Sequence, residues 1–147
     1  MENKVNFSIP AEVTADVSQK LNEVAAALQP YLMALSPEER MKLPKMSDKT
    51  YPFVEKTLDY TQSKPEFAPP YMDKQALADD MKVVEDLLNL YRTVKQLASG
   101  LDDTAMQAGA ESYMNALGYY NSVKQAAKMN VPGAKSVYDD LKKRFEK

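Results

Sequence analysis

Residues 73–103 read DKQALADDMKVVEDLLNLYRTVKQLASGLDD, and more of the architecture follows from this stretch than from any other. Leu77, Met81, Val84, Leu88, Tyr91, Val94 and Ala98 return at steps of three and four, which lays them along one side of a helix. Val83, Leu87, Leu90 and Leu97 widen that stripe, so the helix is expected to touch more than one neighbour, as a central bundle helix does. Asp73 stands where an N-cap belongs. Gly100 stands where a left-handed residue closes a helix, so a helix over 74–99 is expected, followed by a turn at Leu101-Asp102-Asp103.

A second long helix is expected at 104–129. Met106, Tyr113, Leu117, Tyr120 and Ala127 mark one side of it. Ala105, Ala108, Ser112 and Ala126 mark another, with Gly109 and Gly118 between them, and small residues let a neighbouring helix come close. The short connection at 100–103 favours an antiparallel hairpin of these two helices.

Upstream, Val13, Val17, Leu21, Val24, Leu28, Tyr31 and Leu35 form another helical stripe. Pro10 suits its first turn, with Ser8 or Ile9 near the cap, and Pro30 predicts a break or kink near Gln29. Ser36, Pro37 and Glu39 have the spacing of a capping box with a first-turn proline. Pro44 must stop that helix within two turns. Ser47 or Thr50 then caps a helix carrying Tyr51, Val54, Leu58 and Thr61, and the three prolines of residues 63–73 predict an extended connection. Past Pro132, Ala134, Val137, Tyr138, Leu141 and Phe145 give a C-terminal helix its apolar side. No segment alternates as a strand does. The expected fold is therefore all-α: one domain over 1–147, an antiparallel bundle of four principal helices at 10–34, 48–63, 74–99 and 104–129, with a short connecting helix near 37–43 and a C-terminal helix near 132–145. At 147 residues such a domain can bury a substantial core.

Residues 35–56, LSPEERMKLPKMSDKTYPFVEK, and residues 131–145, VPGAKSVYDDLKKRF, resemble recurring stretches of an uncharacterised group of small bacterial helical proteins. The resemblance implies a compact bacterial helical domain and brings no activity, ligand or catalytic residue with it.

The residue alphabet excludes much chemistry. The chain has no histidine and no cysteine. Serine–histidine and cysteine–histidine catalysis, ordinary zinc sites, the histidine-containing di-iron bundle and disulfides all fall away. Carboxylates alone remain as acid–base or metal groups. Asp79, Asp80, Glu85 and Asp86 follow a polar helix face, while Asp102 and Asp103 are explained as caps. No catalytic, cofactor-binding or metal-binding residue is assigned, and no enzyme is expected.

Net charge is −2, which gives no general affinity for nucleic acid. The charge is uneven: residues 65–103 carry four basic and eight acidic side chains, residues 104–147 seven and four. In a bundle this suits neighbouring helices with complementary surfaces. The first residues, MENKVNFSIPAEV, lack the apolar run of a signal peptide. The longest apolar run, VAAAL at 24–28, falls far short of the roughly 20 residues that span a bilayer, so a cytoplasmic protein away from the membrane is expected. Lys142, Lys143 and Arg144 beside Leu141 and Phe145 are read as favouring the dipole of the last helix, since Asp139, Asp140 and Glu146 oppose adhesion to anionic lipid.

Three features remain as candidate sites. Arg40, Lys42, Lys45 and Lys49 cluster around the start of a helix, where an anion could be held, although no glycine opens the backbone and Glu38, Glu39 and Asp48 lie alongside. Phe67 and Tyr71 either pin the proline-rich connection to the bundle or stand out as aromatic contacts for a partner. Tyr91, Tyr113, Tyr120 and Tyr138, with nine methionines in the chain, describe either a core edge or a pocket for a flat ligand. Two functions follow: a helical protein–protein interaction domain, self-association included, or a small-molecule carrier or sensor with a tyrosine- and methionine-lined pocket.

Overall fold

The computed structural model describes residues Met1–Lys147. It is all-α, with no strand: α1 is Ala11–Leu28, α2 Pro37–Lys42, α3 Thr50–Ser63, α4 Lys74–Lys128 and α5 Ala134–Leu141. Short 3-10 turns follow α1 at Gln29–Tyr31, α3 at Pro65–Phe67 and α5 at Lys142–Phe145. The chain divides into two units, Ile9–Val94 and Met1–Ser8 with Lys95–Lys147.

Local signals produce the elements of the first unit. Pro10 is itself the N-cap of α1, one or two residues later than the cap expected at Ser8 or Ile9. α1 ends at Leu28 because Pro30 brings no N–H, and the 3-10 turn over Gln29–Tyr31 absorbs it. The capping box of α2 is complete: Glu39 N–H donates to Ser36 Oγ at 3.1 Å and Ser36 N–H to a Glu39 carboxylate oxygen at 2.8 Å. α2 stops before Pro44, with Leu43 extended. Asp73 caps α4 by accepting from Ala76 N–H at 2.9 Å.

The expected hairpin is absent. The helices foreseen at 74–99 and 104–129 are one helix of 55 residues, so the four-helix arrangement does not form in that way. Gly100 keeps a negative φ, and only Asn130 and Gly133 adopt positive φ, 57° and 84°. The reason is energetic. A glycine inside a helix costs only about 1 kcal/mol, and the apolar steps from Val94 through Leu97 to Leu101 run on without interruption. Thr104 Oγ1 donates to the Gly100 carbonyl at 2.7 Å, across the residues expected to turn. The left-handed stop comes instead at Asn130, where Val131 N–H reaches back to the Ala126 carbonyl at 3.0 Å. Asp102 and Asp103 therefore lie within the helix and cap nothing.

A second departure concerns burial. Met81 is the one buried apolar side chain, and Thr61 and Glu111 are the buried polar ones. Thr61 satisfies its hydroxyl on the Leu58 carbonyl at 2.6 Å. Tyr51, Val54 and Leu58 of α3 and Leu77 and Val84 of α4 are half-buried, so these stripes face inward as their spacing requires. The burial falls short of the substantial core expected for this length.

Candidate functional site: exposed apolar helix faces

The basic run at 40–49 is divided among different tasks. Arg40 and Lys42 occupy the last turn of α2, where cations suit the helix dipole. Lys45 Nζ donates to the Arg40 and Leu43 carbonyls, closing the end of α2. Lys49 sits at the N-cap position of α3. A groove of about 630 Å³ opens beside this run, lined by Met46, Tyr51, Val84, Leu87 and Arg92 among others, and none of the four basic residues lines it.

Phe67 and Tyr71 are 79% and 90% exposed, so neither ring pins the connection. Phe67 forms one wall of a shallow groove of about 360 Å³ with Tyr60, Pro69 and Met72. This leaves the partner-contact reading of the pair open to direct test.

The tyrosines separate into two groups. Tyr91 and Tyr113 are exposed, whereas Tyr120 and Tyr138 are half-buried. Tyr120 stacks on Tyr138 with centroids 5.6 Å apart and meets Phe145 at 5.0 Å, which holds the C-terminal segment on α4. Lys142 Nζ lies 5.6 Å from the Tyr138 ring centre and Arg144 lies 5.5 Å from that of Phe145. Burial, together with the Tyr138 hydroxyl, raises the Tyr120 hydroxyl above the ordinary tyrosine pKa. Tyr113, Leu117, Tyr120, Leu141 and Phe145 line an open groove of about 260 Å³.

Glu111 is the polar feature that the sequence reading missed. One carboxylate oxygen accepts from Lys4 N–H at 2.6 Å and from Gln107 Nε2 at 3.0 Å, and the other accepts from Val5 N–H at 3.2 Å. The N-terminal segment is thereby clipped to α4. The Gln107 amide, the Lys4 and Val5 N–H groups and the Lys4 charge hold the Glu111 carboxyl below the usual value. The available signal was its isolation, for it is the one acid between Asp103 and Asp139.

Apolar side chains stand exposed along two of the helices. Val13, Val17, Leu21 and Val24 of α1 are 44–49% exposed. On α4, Val83, Leu90, Val94, Leu97 and Leu101 are each 49–59% exposed. Such surfaces attract other apolar surfaces and offer no reactive group. No helix is long and apolar enough to cross a membrane, and no group of three or more metal-ligating side chains converges. No protein-family model, no curated protein and no solved structure matches the chain.

Proposed function

We propose that the chain is a non-enzymatic helical module that works by protein–protein contact, its exposed helix faces being covered by a partner. The observation that carries this reading is the exposure of Val13, Val17, Leu21 and Val24 on α1 and of Val83, Leu90 and Leu97 on α4, beside a single buried apolar side chain, Met81. An amphipathic helix in a protein gains most of its stability from covering its apolar side. The missing histidine and cysteine support the non-enzymatic part. The test is reconstitution. Proteins retained by the immobilised chain are purified and remixed with it, and light scattering is expected to show a complex of fixed stoichiometry. A Val17→Glu/Leu21→Glu chain is expected to compete poorly. A chain that stays monomeric and forms no such complex overturns the reading.

A second reading, a carrier or sensor for a flat apolar ligand, is supported by the tyrosine-lined groove at Tyr113, Leu117 and Tyr120. Ligand-induced chemical-shift changes confined to those residues distinguish it from the first.

A further inference from the structure

We infer that the aromatic groove between α4 and the C-terminal segment takes a small flat carboxylate, a ring system with a single negative charge that Arg144 receives; the inference rests on the carrier reading above. The groove lies wholly within the unit formed by Met1–Ser8 and Lys95–Lys147. One wall is Tyr113, Leu117 and Tyr120, which steps of four and three place on one side of α4. The other is Leu141, Arg144 and Phe145. The two walls are held together, since Tyr120 meets Tyr138 at 5.6 Å and Phe145 at 5.0 Å between ring centres. The groove measures about 260 Å³. Sites for drug-sized ligands run from about 300 to 1,000 Å³, so this one suits a smaller body of one or two rings.

Charge selects among flat ligands. Arg144 is the one charged side chain lining the groove. Its two basic neighbours are already engaged, Lys142 with Asp139 at 3.4 Å and Lys143 with Asp140 at 3.5 Å. Arg144 enters no ion pair, and its guanidinium lies 5.5 Å from the centre of the Phe145 ring. A guanidinium presents a planar fork of N–H donors that matches a carboxylate. A ring lying on the aromatic wall therefore brings its own carboxylate to that fork. No acid on the walls opposes it. Burial, together with the Tyr138 hydroxyl, raises the Tyr120 hydroxyl above its ordinary pKa, so it adds no negative charge near neutral pH.

A single positive charge is matched by a monoanion, whereas a phosphate monoester brings about −1.5 to −2 at neutral pH. The other grooves suit this ligand less. Asp48 and Glu85 line the one beside Met46 and repel an anion. The Phe67 groove carries Lys64, a point charge on a flexible stem without the planar fork.

Titration of the full chain with 2-naphthoate, followed by NMR, is expected to shift the signals of Tyr113, Leu117, Tyr120 and Phe145 to saturation. The neutral 2-naphthamide has the same ring system without the charge. It is expected to bind about fivefold more weakly, the upper end for an exposed ion pair, and the difference is expected to shrink at high salt. Arg144→Gln is expected to bind the two compounds alike, with ring-current shifts showing that Tyr120 still meets Tyr138. Arg144→Lys is expected to keep part of the preference. Equal affinity of the unaltered chain for naphthoate and naphthamide overturns the anionic class and leaves the carrier reading standing, a comparison that needs no variant to fold. A preference that survives Arg144→Gln overturns the part given to Arg144. Shifts confined to another groove, or no binding of either compound, overturn the inference and the carrier reading together.

Discussion

Glu111 shows how much one residue can organise. Its carboxylate gathers donors from Lys4, Val5 and Gln107, and two of these belong to a segment more than a hundred positions away. Removing the acceptor frees both N–H groups, so Glu111→Ala is expected to raise the hydrogen-exchange rates of the Lys4 and Val5 amides to those of an open chain. The pH dependence has a definite sign. The folded carboxyl titrates below its unfolded value, so the clip is fully formed above the ordinary glutamate pKa and is lost as pH falls through the depressed folded value. NMR shifts of the two amides are expected to report that midpoint. Phe67 and Tyr71 make the opposite case. Both rings are exposed, so Phe67→Ala/Tyr71→Ala is expected to leave stability within about 0.5 kcal/mol in a denaturant melt of the single chain. The two possibilities for this pair were visible in the sequence. The choice between them was not, because a ring in a proline-rich connection has the same composition whether it folds inward or outward.

At the scale of elements, legibility followed the strength of the local signal. The α2 capping box, the break before Pro30, the stop before Pro44 and the Asp73 cap are each fixed by one or two residues acting on neighbouring backbone, and each was readable. The stretch Gly100-Leu101-Asp102-Asp103 was misread because its residues only weaken a helix, whereas proline forbids one. A continuous apolar stripe outweighs several such weak preferences. Gly100→Ala decides between the two conformations. A methyl group there meets nothing within 4 Å, so the substitution is expected to stabilise α4 by about 0.5–1 kcal/mol by removing backbone freedom from the unfolded chain. Had Gly100 been a left-handed stop, the same change would destabilise. Thermal melts with far-ultraviolet circular dichroism supply the comparison.

For the whole molecule, the helical class was legible because spacing alone determines it, and the sites were less so because burial depends on what lies opposite. Tyr91 and Tyr113 carry the same inward spacing as Tyr120, yet both are exposed, whereas Tyr120 is half-buried against Tyr138 and Phe145. Likewise Val83 and Leu90 share a helix with buried Met81 and remain open. A chain with so little internal burial is expected to melt in a concentration-dependent way, its midpoint rising as association with another chain is favoured by mass action. Calorimetry over a hundredfold range of protein concentration measures that slope, and a midpoint that stays constant contradicts association.

α1 makes the sharpest contrast between a well-marked helix and a poorly supported one. It contains no buried residue, and its main reinforcement is local, such as the Lys20–Asp16 pair at 2.8 Å. Eighteen residues held in that manner open readily. Trypsin should therefore cut the lone chain at Lys20 and spare the same bond once a companion shields it, so the release of that peptide becomes a footprint of occupancy.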